Sequence, residues 1–165
     1  MNTVNNTSFP LDAAALTAEI TTMLAANRIW VLATSSEDRV SARSMSIIND
    51  GLDIWFEMRS TDLKGRQIQA NPRVALCWNN VQIEGRAEIL GNAHAPSPAN
   101  AAGNAWFCRE YARVHPDGFR RWSTFEGEVV VRVRPELITL WKYLSDQAVR
   151  DFLIPGERAW REAYL

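Results

Sequence analysis

Lys64 and Arg43 are the two cations in this sequence best placed to hold an anion. Lys64 lies in the first half of a short helix expected straight after Ser60-Thr61-Asp62, whose hydroxyl and carboxylate groups can cap it, and which must stop before Asn71-Pro72. The first turn of such a helix gathers unpaired N–H groups, and anions settle there. Arg43 sits on a strand leading into the same region, so the two charges could flank a phosphate. Residue types alone also allow the plainer reading, in which both are solvated surface charges.

Other chemistries find less support. His94 lies in an Ala/Pro-rich loop and His115 precedes a proline; neither has an Asp, Glu or Cys at metal-ligand spacing, so no metal site is expected. Cys77 falls inside a strand and reads as a buried, inert thiol, while Cys108 has only Arg109 beside it as an activating charge. No Ser-His-Asp motif is recognisable, and no catalytic side chain is assigned.

The elements that must position these residues are mainly strands. Helical spacing of Leu16, Ile20, Met23 and Leu24 after Asp12 predicts an amphipathic helix over about 12–27. Strands are expected over 29–34, 40–48 and 52–58, the last two joined at Asn49-Asp50-Gly51 and therefore neighbours. After the Lys64 helix come strands 73–78 and 81–90, joined through Asn79-Asn80, with Gly85 a bulge or close backbone approach. Residues 91–104 read as an exposed loop, followed by a helix over about 105–113 and a helical turn from His115-Pro116 to Trp122. A strand over 126–134 is broken at Pro135, and LITLWKYL gives a seventh. Ser145-Asp146 then caps a short helix toward Phe152, and Pro155-Gly156 opens a helical tail with Trp160 and Tyr164.

The sum is a mainly β chain: an antiparallel barrel with peripheral helices. It reads as one domain, with a core of about 28–143, the N-terminal helix, and a C-terminal helical tail of about 145–165. Eighteen Lys and Arg against 19 Asp and Glu leave a net charge of −1, which gives no long-range field for nucleic acid or an anionic membrane. No apolar run approaches the roughly 20 residues of a spanning helix, and the first residues lack the basic and apolar regions of a leader, so a cytoplasmic protein is expected. Seven tryptophans exceed what a small core needs. Some are therefore expected to line a pocket or a subunit interface; Trp30, Trp55 and Trp78 are assigned to an aromatic core, and Trp106, Trp122, Trp141 and Trp160 are left open.

The run from Lys64 through Gln67, Ile68 and Asn71-Pro72-Arg73-Val74 is preceded by DGLDIWF, ending at Phe56, and by Arg43-Ser44-Met45. Together these resemble the FMN-binding split barrel of the pyridoxamine 5'-phosphate oxidase family, most nearly its general stress protein branch. Residues 28–91 carry the likeness and 126–142 extend it more loosely, with Gly85-Arg86-Ala87-Glu88 as a further landmark.

This resemblance implies that Arg43 and Lys64 hold an FMN phosphate and that Ser44, Met45 and Ser46 lie beside the isoalloxazine and ribityl chain. It implies that Glu57 and Met58 meet the flavin from the other side, and that Asn80 or Gln82 reaches it across a homodimer interface. Trp141 matches a family tryptophan near the cofactor and reads equally well as a barrel-closing core residue. The family usually has Thr where Met58 stands and Ser where Asp62 stands. A carboxylate ~4 Å from a phosphate costs about 4 kcal/mol at an effective dielectric near 20, so Asp62 is expected to point away, cap the helix, or weaken FMN binding.

The implied function is an FMN-dependent oxidoreductase moving hydride or electrons from NAD(P)H to a small-molecule acceptor. The alternatives are a non-catalytic flavin reservoir or sensor, and a relative that binds F420 or haem. The C-terminal Arg and His pattern that holds pyridoxal phosphate in the true oxidases is missing from KYLSDQAVRDFL, where Arg150 stands without a histidine, so vitamin B6 synthesis is not expected.

Overall fold

The computed structural model describes residues 7–163, so Tyr164 lies outside the described residues. Helix α1 (Ala13–Ala26) begins where the Asp12 carboxylate accepts hydrogen bonds from the Ala14 and Ala15 amides, and its buried stripe is Leu16, Ile20 and Leu24. The strands are β1 (Thr7–Leu11), β2 (Ile29–Ser36), β3 (Arg39–Ser46), β4 (Ile48–Asp50), β5 (Asp53–Arg59), β6 (Arg73–Trp78), β7 (Val81–Ile89), β8 (Glu128–Leu144), β9 (Gln147–Ile154) and β10 (Arg158–Ala163). They form one antiparallel sheet, with α2 (Leu63–Ala70), α3 (Ala101–Val114) and α4 (Pro116–Trp122) at its edges, which is the mainly β architecture expected.

Part of the sheet curls into a ring. β3 pairs with β2, β2 with β6, β6 with β7, β7 with β8, β8 with β5 and β5 with β4. The chain closes the ring where β3 runs into β4 through buried Ile47, whose N–H reaches the Arg28 carbonyl at 2.9 Å. The expected hairpin of 40–48 with 52–58 is therefore confined to three residues: β4 pairs with β5, whereas β3, among the described strands, pairs with β2 alone. The bend at Ile47 makes β3 an edge, and none of its residues is buried.

Inside the ring Trp30, Leu32, Ile54, Phe56, Met58, Leu76, Ile83, Val131, Val133 and Leu140 meet the stripe of α1. A second apolar cluster lies under α3, where Ile48, Trp55, Leu90 and Val130 pack against Phe107 and Tyr111. Trp30 and Trp55 are core residues as expected, and Trp78 packs partly buried against the core, 6.2 Å from the Trp30 ring.

Several expectations are corrected. Pro135 does not break its strand. β8 runs unbroken for 17 residues because Pro135 faces Gly85 at a register shift, a bulge where a missing N–H is tolerated. A Cβ on Gly85 would lie 2.4 Å from the Arg134 carbonyl oxygen, so only glycine permits this approach. Ser145-Asp146 caps no helix: both residues have positive φ (47° and 68°), as a two-residue hairpin turn demands, and Leu144 pairs with Gln147 across it. The helical tail of 145–165 is likewise replaced, where described, by β9 and β10, joined around Gly156 (φ 77°), with β10 pairing to β1. Helix α3 begins at Ala101, inside the segment read as loop, because an Ala-rich run too plain to show periodicity is still a good helix former. Cys77 is exposed, since alternation along β6 buries Val74 and Leu76 and turns Cys77 outward. No helix among the described residues is long and apolar enough to cross a membrane.

The outer strands are tied to the ring by charge. Buried Asp151 on β9 accepts both donors of the Arg161 fork, at 2.6 and 2.8 Å, and lies 3.2 Å from Lys142, which also meets Glu19 on α1 at 2.8 Å. Burial pushes this carboxyl up, but the Arg161 and Lys142 partners outweigh it and hold it below its usual range. Asp151→Asn is expected to cost about 3 kcal/mol, read as a lower urea midpoint at unchanged m-value; a midpoint equal to wild type would contradict this role.

Candidate functional site

Four elements and one helix pair converge on a cavity of about 340 Å³. The end of β3 supplies Ser44, Met45 and Ser46, and the end of β5 supplies Glu57, Met58 and Arg59. The start of α2 supplies Asp62 and Lys64, and the start of β8 supplies Glu128. Tyr111 of α3 and Trp122 of α4 line the remaining side.

Alternation along β5 explains the lining. Ile54, Phe56 and Met58 face the ring interior, whereas Trp55 and Glu57 face outward. That outer face is roofed by the helix pair: the Trp106 ring lies 5.1 Å from Trp55, and Ser123, just past α4, donates from Oγ to Glu57 Oε2 at 2.5 Å. Glu57 is thereby buried while still bordering the cavity. Met58, 2% exposed, belongs to the core, so this wall is apolar where a hydroxyl would otherwise stand.

The cations of the cavity are engaged with carboxylates. Lys64 Nζ lies 2.8 Å from Asp62 Oδ2, and this bond holds the Asp62 carboxyl below its usual range. Arg59 approaches Glu128 at 3.8 Å. Glu57 is different: burial pushes its carboxyl up to about 7, the Ser123 bond opposing and the nearby Glu128 charge adding to the rise. Burial also raises the Glu128 carboxyl and, with the Glu57 charge, the Tyr111 phenol, Ser46 opposing that rise. No side chain among the described residues caps the first turn of α2, although Asp62 occupies the cap position. Those amides remain available to an anion beside Lys64.

Of the residues singled out from sequence, Ser44, Met45, Ser46, Glu57, Met58 and Lys64 are brought together here. Arg43 is not. It lies opposite Leu32 across the β2–β3 pair, and its guanidinium donates to the Leu32 carbonyl at 3.1 Å, Thr34 Oγ1 at 2.8 Å and Ser41 Oγ at 2.7 Å. Thr34 and Ser41 both donate to Gln67 Oε1 of α2, so Arg43 braces that helix from beneath. Asn80, Gln82 and Trp141 border a different cleft, with Arg150 stacked 5.0 Å over the Trp141 ring. Asn80 bonds the backbone of Trp141 there. Sequence reading missed Arg59, Tyr111, Ser123 and Glu128, and left Trp122 open. The period-two pattern of IWFEM could have flagged Glu57 as buried, but nothing local reveals which helix covers it.

His115 donates a ring N–H to the Ile47 carbonyl at 3.0 Å, and no group of metal ligands occurs among the described residues. Burial raises the Cys108 thiol, which makes it less reactive.

A family model described as pyridoxamine 5'-phosphate oxidase matches residues 16–142. No curated protein matches the sequence. Among solved structures, General Stress Protein 26 from Bacillus anthracis is 19% identical at a TM-score of 0.56, covering 74% of this chain and 91% of its own. A pyridoxamine 5'-phosphate oxidase-related, FMN binding protein from Nostoc punctiforme is 14% identical at 0.60, covering 93% and 95%. The haem storage protein HutZ from Vibrio cholerae is 11% identical at 0.58, covering 76% and 92%. At these identities the likeness is one of fold.

Glu57 has a consequence for stability that needs no ligand. Its folded carboxyl titrates above the unfolded value, so the folded state holds an extra proton between about pH 4.5 and 7, and stability falls as pH rises through that window. Glu57→Gln removes the dependence. The melting temperature of the variant is expected to gain on wild type as pH is raised from about 5 to 8; parallel curves would show that Glu57 is not buried as a neutral acid.

Proposed function

Because the chain belongs to the pyridoxamine 5'-phosphate oxidase family, we propose that it is an FMN-binding flavoprotein, an oxidoreductase that passes hydride or electrons from NAD(P)H to a small-molecule acceptor. The observation that carries this reading is the junction of an uncapped α2 first turn, Lys64 and the Ser44 and Ser46 hydroxyls around one cavity. This donor set fits a phosphate-ended ligand: helix amides, an ammonium and two hydroxyls can share its oxygens. Lys64 exchanges Asp62 for the phosphate, and Asp62, on the exposed side of the turn, returns to water. Bound flavin supplies the redox chemistry, so the chain needs no acid or base of its own for electron transfer. The residues instead bind and orient: Lys64 and α2 the phosphate, Ser44 to Ser46 the adjoining polar groups, and Met58 an apolar wall.

A homodimer completes this reading. Ile29, Val31 and Val40 are large apolar residues left 52%, 42% and 71% exposed along β2 and β3, the kind of surface a second subunit covers. The Asn80, Gln82 and Trp141 cleft of one protomer then adjoins the flavin cavity of its partner. For a haem the described lining offers no His or Cys, and of the other axial-ligand types there, Met45, Met58 and Tyr111, the last two are buried.

Reconstitution tests the proposal. Flavin absorption bands are expected to remain with the protein after FMN is added and excess removed, and anaerobic NADH or NADPH is expected to bleach them. Retained colour without bleaching would identify a flavin carrier instead of an enzyme. Lys64→Ala is expected to weaken FMN roughly ten- to a hundredfold, the range of one charge-assisted bond, with riboflavin changed little. Asp62→Ser is expected to strengthen FMN selectively. Equal losses for FMN and riboflavin would place the phosphate elsewhere.

A further inference from the structure

Among the described residues that line the cavity, Glu57 is the carboxyl with a buried oxygen that has no hydrogen-bond partner. It is 9% exposed; Oε2 accepts from Ser123, while Oε1 is buried and finds no hydrogen-bond partner among the described residues. A buried carboxylate oxygen without a donor is costly, so the arrangement calls either for a donor from a ligand or for a proton on that oxygen. The surrounding groups favour the proton. Glu128 faces Glu57 from β8 and repels its charge, and Tyr111 and Cys108 of α3 lie close enough to feel that charge. On the remaining walls, Arg59 of β5 is turned to Glu128 and Lys64 of α2 to Asp62. No cation among the described residues pairs with Glu57.

We propose that Glu57 recognises the ligand as a carboxylic acid, donating its proton from Oε1 to an acceptor oxygen or nitrogen of the flavin, so that ligand and proton are bound together. Ser123 holds the other oxygen as the acceptor and so fixes which oxygen carries the proton. In this form each oxygen of the carboxyl has a partner, whereas the ionised form places a third negative charge beside Asp62 and Glu128 in a cavity that, on the flavin reading, also admits a phosphate. The acid is available at neutral pH because burial lifts this carboxyl to about 7. The proposal rests on the flavin reading above and adds to it a named specificity-determining residue and a proton.

Calorimetric titration of FMN and of riboflavin, each in two buffers of unequal ionisation enthalpy, tests it. Wild type is expected to take up about half a proton at pH 7 and nearly one at pH 8, with Kd rising about tenfold from pH 6 to pH 8. Glu57→Gln, which can still accept from Ser123 through its carbonyl oxygen and donate through its amide, is expected to bind with that uptake and that rise abolished. Uptake seen with both flavins puts the acceptor on the ring, and uptake seen with FMN alone puts it on the phosphate. The FMN comparison is made against Glu57→Gln because the phosphate itself titrates near pH 6. Should the variant not fold, infrared difference spectra of wild type at pH 8 are expected to gain a protonated carboxyl band on flavin binding. Binding without uptake, uptake persisting in Glu57→Gln, or no such band overturns the role of Glu57 and leaves the flavin reading standing. Failure of both flavins to bind wild type at any pH overturns both.

Discussion

Strand β5 has no solvent face, and most of the structure follows from covering it. Its inner side chains, Ile54, Phe56 and Met58, fill the ring, while its outer ones, Trp55 and Glu57, need a roof that the ring cannot supply. Helices α3 and α4 are that roof. Gly103 of α3 passes so close that an added Cβ would sit 3.2 Å from the Trp55 ring, and the turn after α4 places the Ser123 hydroxyl on Glu57. A strand buried on both faces gains hydrophobic stabilisation twice, but any polar residue on it must be matched or neutralised. Glu57 is the place where that demand meets the cavity.

Much of this architecture was legible from local pattern. Alternation and turn residues placed β2 and β5 to β7, and Asp12 and Asn71-Pro72 bounded α1 and α2. Reading failed where one local signal serves two structures. Ser and Asp are helix caps, yet Asp also tolerates positive φ, and at 145–146 the strands on either side decided for the turn. Proline ends most strands, yet opposite a glycine bulge it does not, and Gly85 lies 50 residues from Pro135 in the chain. The second outcome is settled by a partner distant in sequence, which no window of ten residues contains, and the first by strands that are recognisable only as a pair.

The candidate site divides along the same line. Ser44 to Ser46 and Lys64 stood out because a polar strand edge and a helix start are local features, and the resemblance carried Glu57 and Met58 with them. The helix-borne half of the cavity, Tyr111, Trp122 and Ser123, comes from segments read as a helix and a helical turn, with nothing local to show which strand they cover. Arg43 shows the converse. Its charge and spacing suggested an anion ligand, but its guanidinium is taken up by Thr34 and Ser41, which with Gln67 complete a polar cluster under α2. Its influence on the cavity passes through the helix it supports.

Under the proposed FMN reading, Asp62 ceases to be an obstacle and becomes a placeholder. An ion pair between side chains that are 18% and 47% exposed, two residues apart, is worth about 1 kcal/mol or less in water. A phosphate dianion offers Lys64 a stronger charge and offers the α2 amides an acceptor that Asp62, in the cap position but bonded to Lys64 instead, does not provide. Exchange of the one partner for the other therefore runs toward the phosphate. The cost of a like charge, about 4 kcal/mol at ~4 Å, falls steeply once Asp62 swings into solvent. In the proposed flavin reading the cavity keeps two buried carboxyls, Glu128 beside Arg59 and Glu57 without a cation among the described residues, and protonation of Glu57 is the route by which so acidic a pocket would admit an anion.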